Sequence, residues 1–319
     1  MELNELKKDA KIIGRAKEIT KVRQGKSKKS GKAYIAYNLI VMVENKAKGI
    51  VDEIKVEFFS MEGNAPNKSQ LKFFEEGKTV VADGYDNADI VDIVGNLSFN
   101  EYVSKSSNKY VFFNSLNGVF IHRLGEEGKD TKHKAVANVE TVITDISDKL
   151  NEEDLPTGEK VLQGFTIGYN EEIIPIKDAI VPGVLAESFS KVYKPNQTAT
   201  LTYQFVNRAI VEDDSQEPDE EEEVIPAFGS VADIETKGKV FTKYDTRTLL
   251  VGGLKPYDDD FALSQDEIDY AKELRTKKET EVKNTVPMSA SDYPEPPKDE
   301  TPKQTGFGSD DIPDFWYIA

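Results

Sequence analysis

The first 125 residues of the chain alternate between apolar runs and short turn-like segments, and this order restricts the folds available to them. The runs are rich in β-branched and aromatic residues and are bounded by Gly, Asn, Ser and charged residues, as strands are. Strands are expected at residues 11–19, 33–43, 50–60, 79–84, 88–99 and 109–123. A short helix is expected at residues 69–76 (SQLKFFEE), with Gly77 ending it.

Strands followed by a short helix and further strands are the element order of a small five-stranded Greek-key barrel, the OB-fold. A generic β-sandwich is the alternative. Residues 134–211 repeat the theme, with extended runs, a short helical stretch at residues 184–192 and an alternating strand at residues 198–210. The predicted fold class is therefore mainly β, with two OB-fold barrels in tandem, a C-terminal helix and a disordered acidic tail.

Changes in composition predict the domain boundaries. The first domain is expected at residues 1–130 and the second, diverged one at residues 134–211. An acidic linker at residues 212–226 is too charged to be buried. A mixed strand and helix segment follows at residues 227–283, where Ser264 and Glu267 have the spacing of a capping box. Residues 284–319, dominated by Pro, Ser, Asp, Glu and Lys, are expected to be a disordered tail.

Side-chain alternation sorts the second and third expected strands into two faces. Ile35, Tyr37, Leu39, Val41 and Val43 share one face, which is predicted to be the core. By the same rule, Ile54, Val56 and Phe58 point inward. The other face carries Tyr34 and Asn38 from one strand and Lys55 and Phe59 from the next.

Charge is distributed unevenly, and the average conceals this. The net charge is −17, yet residues 1–134 carry 23 Lys and Arg against 19 Asp and Glu. The remaining residues carry 18 against 39. Such asymmetry suggests a part that binds a polyanion and an acidic part, although solvated surface on both is the alternative.

The stretch VRQGKSKKSGKAY at residues 22–34 concentrates the positive charge. A P-loop requires four residues between its glycines and a Ser or Thr after its Lys. Here five residues separate Gly25 from Gly31, and Ala33 follows Lys32. A β-branched strand follows instead of a helix. The stretch is therefore predicted to be a hairpin tip between two strands of a barrel.

The sequence lacks residues that several classes of function require. The chain has no cysteine, which excludes disulfides and thiolate chemistry. His122 and His133 do not have the spacing of a metal pair. No catalytic residue, metal or cofactor is predicted, and the chain is expected not to be an enzyme. No apolar run approaches a membrane span and no secretory signal is visible, so a cytoplasmic protein is expected.

Proteins hold single-stranded nucleic acid with a basic groove for its phosphates and with aromatic rings on which its bases stack. The first domain has both kinds of residue. The leading nucleic-acid-binding candidates are Lys21, Arg23, Lys26, Lys28, Lys29, Lys32, Tyr34, Asn38, Lys55 and Phe59, followed on a later hairpin by Tyr102, Lys105, Lys109 and Tyr110. Other phenylalanines, Phe73, Phe74, Phe112 and Phe113, are assigned mostly to the core.

Three blocks of the sequence resemble bacterial-type single-stranded DNA-binding proteins. They are SKKSGKAYIAYNLIV at residues 27–41, DEIKVEFFSM at residues 52–61 and QLKFFEEGKTVVADG at residues 70–84. The resemblance implies an OB-fold protein that coats and protects single-stranded DNA, without cofactor or hydrolysis. It also implies a homodimer, because that family commonly assembles four barrels. A divergent, phage-encoded member acting in the host cytoplasm would fit.

The end of the chain resembles the acidic-apolar tip with which that family recruits replication and recombination proteins. The residues concerned are Asp310, Asp311, Ile312, Pro313, Phe315 and Trp316. Asp314 interrupts the family pattern, which suggests a different set of partners. The alternative function is a β-barrel scaffold for protein interaction or for a virion, without nucleic-acid binding. A metal-dependent nuclease built on acidic pairs such as Asp258 and Asp260 is a third hypothesis.

Overall fold

A computed structural model of the chain describes residues 2–28, 30–45, 47–63, 67–104, 107–125, 128, 130–212, 241–258 and 262–285. Their strands are β1 (Lys8–Lys26), β2 (Ala33–Asn45), β3 (Ile50–Met61), β4 (Ile90–Val103), β5 (Tyr110–Leu124), β6 (Lys134–Leu150), β7 (Pro156–Ile167), β8 (Ile173–Val181), β9 (Thr198–Glu212) and β10 (Phe241–Gly253). Their helices are α1 (Asn67–Glu76), α2 (Val80–Asp83), α3 (Gly183–Val192) and α4 (Gln265–Lys283).

Strands β1 to β5 close into a first barrel in the order β1-β2-β3-β5-β4, with β4 returning to β1. β3 and β5 run parallel and the other neighbours run antiparallel. This is the OB-fold arrangement, so the predicted fold class is confirmed. The predicted inward residues of β2 and β3 are buried in its core. α1 packs against this core through Phe73, and the Tyr37 hydroxyl donates to the Gln70 carbonyl at 3.1 Å.

A second barrel repeats the arrangement in the order β6-β7-β8-β10-β9, with β9 returning to β6. β8 and β10 are its parallel pair, joined at Ile180 and Leu249. Its last strand, β10, comes from the segment at residues 227–283 that the sequence analysis placed outside the second domain. The barrel needs this strand because β8 and β9 would otherwise present unpaired edges.

The two barrels are joined by a continuous sheet. β1 pairs with β6 as well as with β2 and β4, from Lys8 opposite Val139 to Ile13 opposite Lys134. Buried residues of both barrels form one hydrophobic cluster. Arg208 of β9 adds a bidentate ion pair with Asp52 of β3, with N–O distances of 3.0 and 3.3 Å.

α4 begins with the predicted capping box. The Glu267 carboxylate accepts from the Ser264 backbone N–H at 2.8 Å, and the Ser264 hydroxyl accepts from the Glu267 N–H at 3.4 Å. The helix buries Ile268 and Ala271 against the second barrel. Among the described helices, none has the length and apolar character needed to cross a membrane.

The expected strand at residues 79–84 is wrong, because this segment contains the helical turn α2. The Thr79 side chain caps the turn by accepting from the Ala82 N–H at 3.3 Å. Gly84 ends it with a φ of 85°, which a glycine adopts without strain. Local capping therefore outweighs the β-branched character of Thr79 and Val80.

Candidate nucleic-acid interface

The basic stretch at residues 22–34 forms the end of the β1–β2 hairpin. The Ser27 N–H donates to the Lys32 carbonyl at 2.9 Å, and the Gly31 N–H donates back to the Ser27 carbonyl at 2.7 Å. Gly31 has a φ of 67°, a value at which a side chain would be strained. The predicted hairpin tip is thus confirmed, and its glycine closes a turn.

Five cations on this hairpin are exposed to solvent. They are Lys21, Arg23, Lys26, Lys28 and Lys32, which we call the basic tip. Lys29 was predicted with them and lies outside the described residues. Lys21 has a left-handed φ of 51° at an irregularity in the β1–β2 pairing between Thr20 and Arg23. The five cations of the basic tip thus lie along one hairpin, between residues 21 and 32.

The outer face of β2 and β3 lies next to the basic tip. Asn38, Lys55 and Phe59 are half-buried there, on the side predicted by alternation. Lys55 forms an ion pair with Glu57 at 2.7 Å. The face therefore offers one partly accessible ring with amide and charged groups beside it.

Tyr34 departs from the expectation that its ring is open to a base. It lies at the start of β2, opposite Met61, and is only 7 % exposed. Its ring stacks on that of Phe59, with centroids 5.8 Å apart and planes at 24°. Because Tyr34 is covered, Phe59 is the ring of this pair that retains accessible surface, and Tyr34 supports it from behind.

A two-stranded arm extends the first barrel beyond this face. It consists of residues 98–103 of β4 and 110–115 of β5, which pair with each other and, within the described strands, with no third strand. Its two faces are distinct because opposite residues of a pair point the same way. One face carries Tyr102 and Phe113 and is open; the other is covered by α4 and the second barrel.

Phe113 is the residue that the sequence analysis missed. It was assigned to the core with Phe112, yet its side chain is 36 % exposed and the Lys55 ammonium lies 5.3 Å from its ring centre. Alternation could have found it, since Leu116 points inward and residue 113 must then point outward. Tyr102, which was predicted, is 44 % exposed on the same face of the arm.

Tyr110 lies on the covered face of the arm, contrary to its selection as a stacking residue. Its hydroxyl accepts from Arg275 of α4 and donates to Glu101, each at 2.7 Å. The Lys283 ammonium lies 5.0 Å from its ring centre. A base would have to displace α4 to reach this ring. Lys109 is exposed next to it, and Lys105 lies outside the described residues.

Arg275 and Glu101 form the polar centre of the contact between α4 and the arm. The guanidinium donates to both carboxylate oxygens, with Nη1 to Oε1 at 2.9 Å. Burial would raise the pKa of Glu101, but hydrogen bonds from Arg275 and Tyr110 outweigh it and hold that pKa below its usual range. Burial and the bond to Glu101 raise the pKa of Tyr110.

The corresponding face of the second barrel is closed. By strand order its outer face on β7 and β8 corresponds to that of β2 and β3. There Phe165, Ile167 and Ile173 are buried beneath α4, and Leu3 and Leu6 pack in the same cluster. The hairpin tip between β6 and β7 carries Glu152, Glu153 and Asp154 in place of lysines.

The two histidines have different surroundings. His122 is exposed on β5, whereas His133 Nδ1 accepts from the Glu44 N–H at 3.2 Å. No group of three or more acidic or histidine side chains that could hold a metal ion occurs among the residues described. The tail residues predicted to bind partners, 310–313, 315 and 316, lie outside the described part of the chain.

The chain matches one protein family in sequence and resembles several solved structures in fold. The sequence model of the YorF family matches residues 7–285. No curated protein sequence matches the chain. The fold is similar to that of the wild-type single-stranded DNA-binding protein from Thermus aquaticus, at 10 % identity over 82 % of this chain and 99 % of that one, with a TM-score of 0.46. A deletion mutant of the same protein matches at 12 % identity over 80 % and 97 %, with a TM-score of 0.44.

Proposed function

The chain belongs to the YorF family, and we propose that it binds single-stranded DNA without sequence preference through its first barrel. Phosphates would meet the basic tip, and bases would stack on the rings of the outer face and the arm. Strand protection during replication, recombination or repair would follow from such coating. No catalytic step is part of the proposal.

One observation carries the proposal: cations and accessible rings follow one another across the outer face of the first barrel. The basic tip lies at the Phe59 end of β3, and Phe113 lies beside Lys55, near the middle of that strand. Phe59 and Lys55 are four residues apart, or about 13 Å along a strand. Single-stranded DNA running from the basic tip to the arm would pass Phe59, Phe113 and Tyr102 in turn. Each base that stacks on a ring would contribute about 1–3 kcal/mol to binding.

The second barrel has a different part in this proposal. Its corresponding face is covered by α4 and its hairpin tip is acidic, so it repels phosphates where the first barrel attracts them. One protein chain would therefore hold one DNA strand. Assembly into a homodimer would bring four barrels and two such faces together, and light scattering that gives the mass of one chain would count against it.

The segment after residue 285 supplies the recruiting function in this proposal. Its tip combines carboxylates and large apolar residues, Asp310, Asp311, Ile312, Pro313, Phe315 and Trp316. Such a tip would bind replication or recombination proteins that offer a basic, apolar pocket. Deleting residues 286–319 should abolish capture of those proteins and leave DNA binding intact.

A salt titration of oligo-dT binding tests the proposal. Fluorescence anisotropy at low salt should show binding, and the logarithm of the association constant should fall linearly with that of the salt concentration. Replacing Lys26, Lys28 and Lys32 by alanine should weaken binding and make the slope shallower by about 2, given about 0.7 per phosphate contact on single strands.

A matched triple variant controls for net charge. Lys191, Lys194 and Lys255 belong to the second barrel and its flanking segment and are exposed. Replacing them by alanine removes the same charge and should leave affinity and slope unchanged. Absence of any oligo-dT binding at low salt would contradict the proposal and favour the scaffold hypothesis. Equal losses in both triple variants would show that overall charge, and not the tip, is responsible.

A further inference from the structure

Among the described strands, none pairs with the arm from outside, so contacts other than sheet hydrogen bonds must help to hold it in place. A two-stranded hairpin is marginally stable by itself in water. On its open face the Lys55 ammonium lies beside the Phe113 ring, and several further contacts fall on its covered face. Asn114 donates to the Pro175 carbonyl at 2.9 Å, the Lys177 ammonium lies 5.1 Å from the Phe112 ring centre, and α4 contributes Arg275.

Arg275 makes the most extensive of these contacts. It engages both oxygens of Glu101 and the Tyr110 hydroxyl, and its guanidinium carbon lies 5.3 Å from the centre of the Phe99 ring. Its side chain is 11 % exposed and that of Glu101 is 8 % exposed. Two residues of β4 and one of β5 thus meet a single side chain, which fixes both strands of the arm.

α4 is in turn anchored to the other barrel. Ile268 and Ala271 are buried against the second barrel, one to two turns before Arg275 in the helix. The helix therefore transfers the rigidity of the second barrel to the arm of the first.

We propose that Arg275 is a positioning residue for single-strand binding: by pinning Glu101 and Tyr110 it holds Tyr102 and Phe113 in the path of the strand. The inference rests on the proposed function. It assigns to α4 a role that does not require contact with DNA, because Arg275 lies on the opposite face of the arm from these two rings.

The test compares two lengths of oligo-dT with Arg275→Ala, using Lys277→Ala as a control on the same helix. Lengths of about 5 and about 16 nucleotides bracket the site size of one OB-fold. Arg275→Ala should bind the short oligonucleotide like the wild type, because the tip and Phe59 suffice. It should bind the long one about tenfold more weakly, because the partial loss of stacking on Tyr102 and Phe113 costs about 1.4 kcal/mol in total. Lys277→Ala should match the wild type on both.

Hydrogen exchange separates positioning from general destabilisation. In Arg275→Ala, the amides of residues 98–103 and 110–115 should exchange faster while those of β1, β2 and β3 keep their wild-type rates. Arg275→Lys keeps the charge and loses the bidentate geometry. The exchange rates of its arm should lie between those of the wild type and those of Arg275→Ala. It serves in place of the alanine variant if that variant does not fold.

Two results would overturn the inference. One is wild-type affinity of Arg275→Ala for the long oligonucleotide; the other is unchanged exchange in the arm. A wild-type protein that binds neither oligonucleotide refutes the proposed function and this inference together. Wild-type binding with an unaffected variant refutes the inference alone.

Discussion

The candidate interface presents two phenylalanines, Phe59 on β3 and Phe113 on β5 beside Lys55. Replacing either by leucine keeps apolar packing and removes the ring on which a base stacks. We expect Phe59→Leu and Phe113→Leu each to weaken oligo-dT binding about tenfold, since one stack contributes about 1–3 kcal/mol. Anisotropy titration measures the change.

Tyr169→Leu is the control for these variants. Tyr169 is an exposed aromatic residue of the second barrel, between β7 and β8, and lies outside the candidate interface. Its replacement should not alter binding. Equal effects at positions 113 and 169 would mean that the DNA does not follow the proposed path.

At this scale the sequence predicted the direction of side chains better than their exposure. Alternation placed Leu39 and Val56 inward and Lys55 and Phe59 outward, and the structure agrees. Burial of Tyr34 was beyond alternation, because it depends on residues of neighbouring strands such as Phe59, on which its ring stacks. Exposure depends on what covers a face, and alternation carries no information about that.

At the scale of elements, the contact between α4 and the arm should depend on pH through Glu101. The pKa of this carboxyl lies below its usual range in the folded chain, so its ion pair stabilises the fold fully above the unfolded pKa of about 4.3 and loses that contribution as the pH falls through the folded value. Glu101→Gln should lower the free energy of unfolding by about 2 kcal/mol at pH 7.

The difference between wild type and Glu101→Gln should stay constant from about pH 8 to about pH 5 and shrink below about pH 4. Urea unfolding across this range measures it. As a control, Glu187→Gln concerns an exposed ion pair with Lys191 on α3 and should change stability little at any of these pH values. A difference that persists undiminished at pH 3 would show that the Glu101 charge is not what stabilises the contact.

Elements near in sequence were predictable and their distant partners were not. The capping box of α4 was visible in Ser264 and Glu267 because both partners lie within one turn. That α4 would pack on Phe165 and reach Glu101 was not, since these residues are about 100 and 170 positions earlier in the chain. β10 was similarly read as a separate segment, because residues 213–240 separate it from the strand with which it pairs.

At the scale of the whole molecule, two barrels of the same topology present different surfaces. The first has a cationic tip and an open outer face, while the second has an acidic tip and a face buried under α4. The uneven charge of the sequence follows this division, with the positive excess in the first barrel. The proposed function accordingly assigns DNA binding to the first barrel and a supporting part to the second.

The central claim is that single-stranded DNA follows one face of the first barrel, and a hydrogen-exchange comparison with and without oligo-dT tests it most directly. The account predicts slower exchange at residues 21–34, 55–59 and 102–113 on binding, with no change at residues 159–177 of the second barrel. Protection confined to the second barrel, or no protection anywhere with the oligonucleotide in excess, would contradict it.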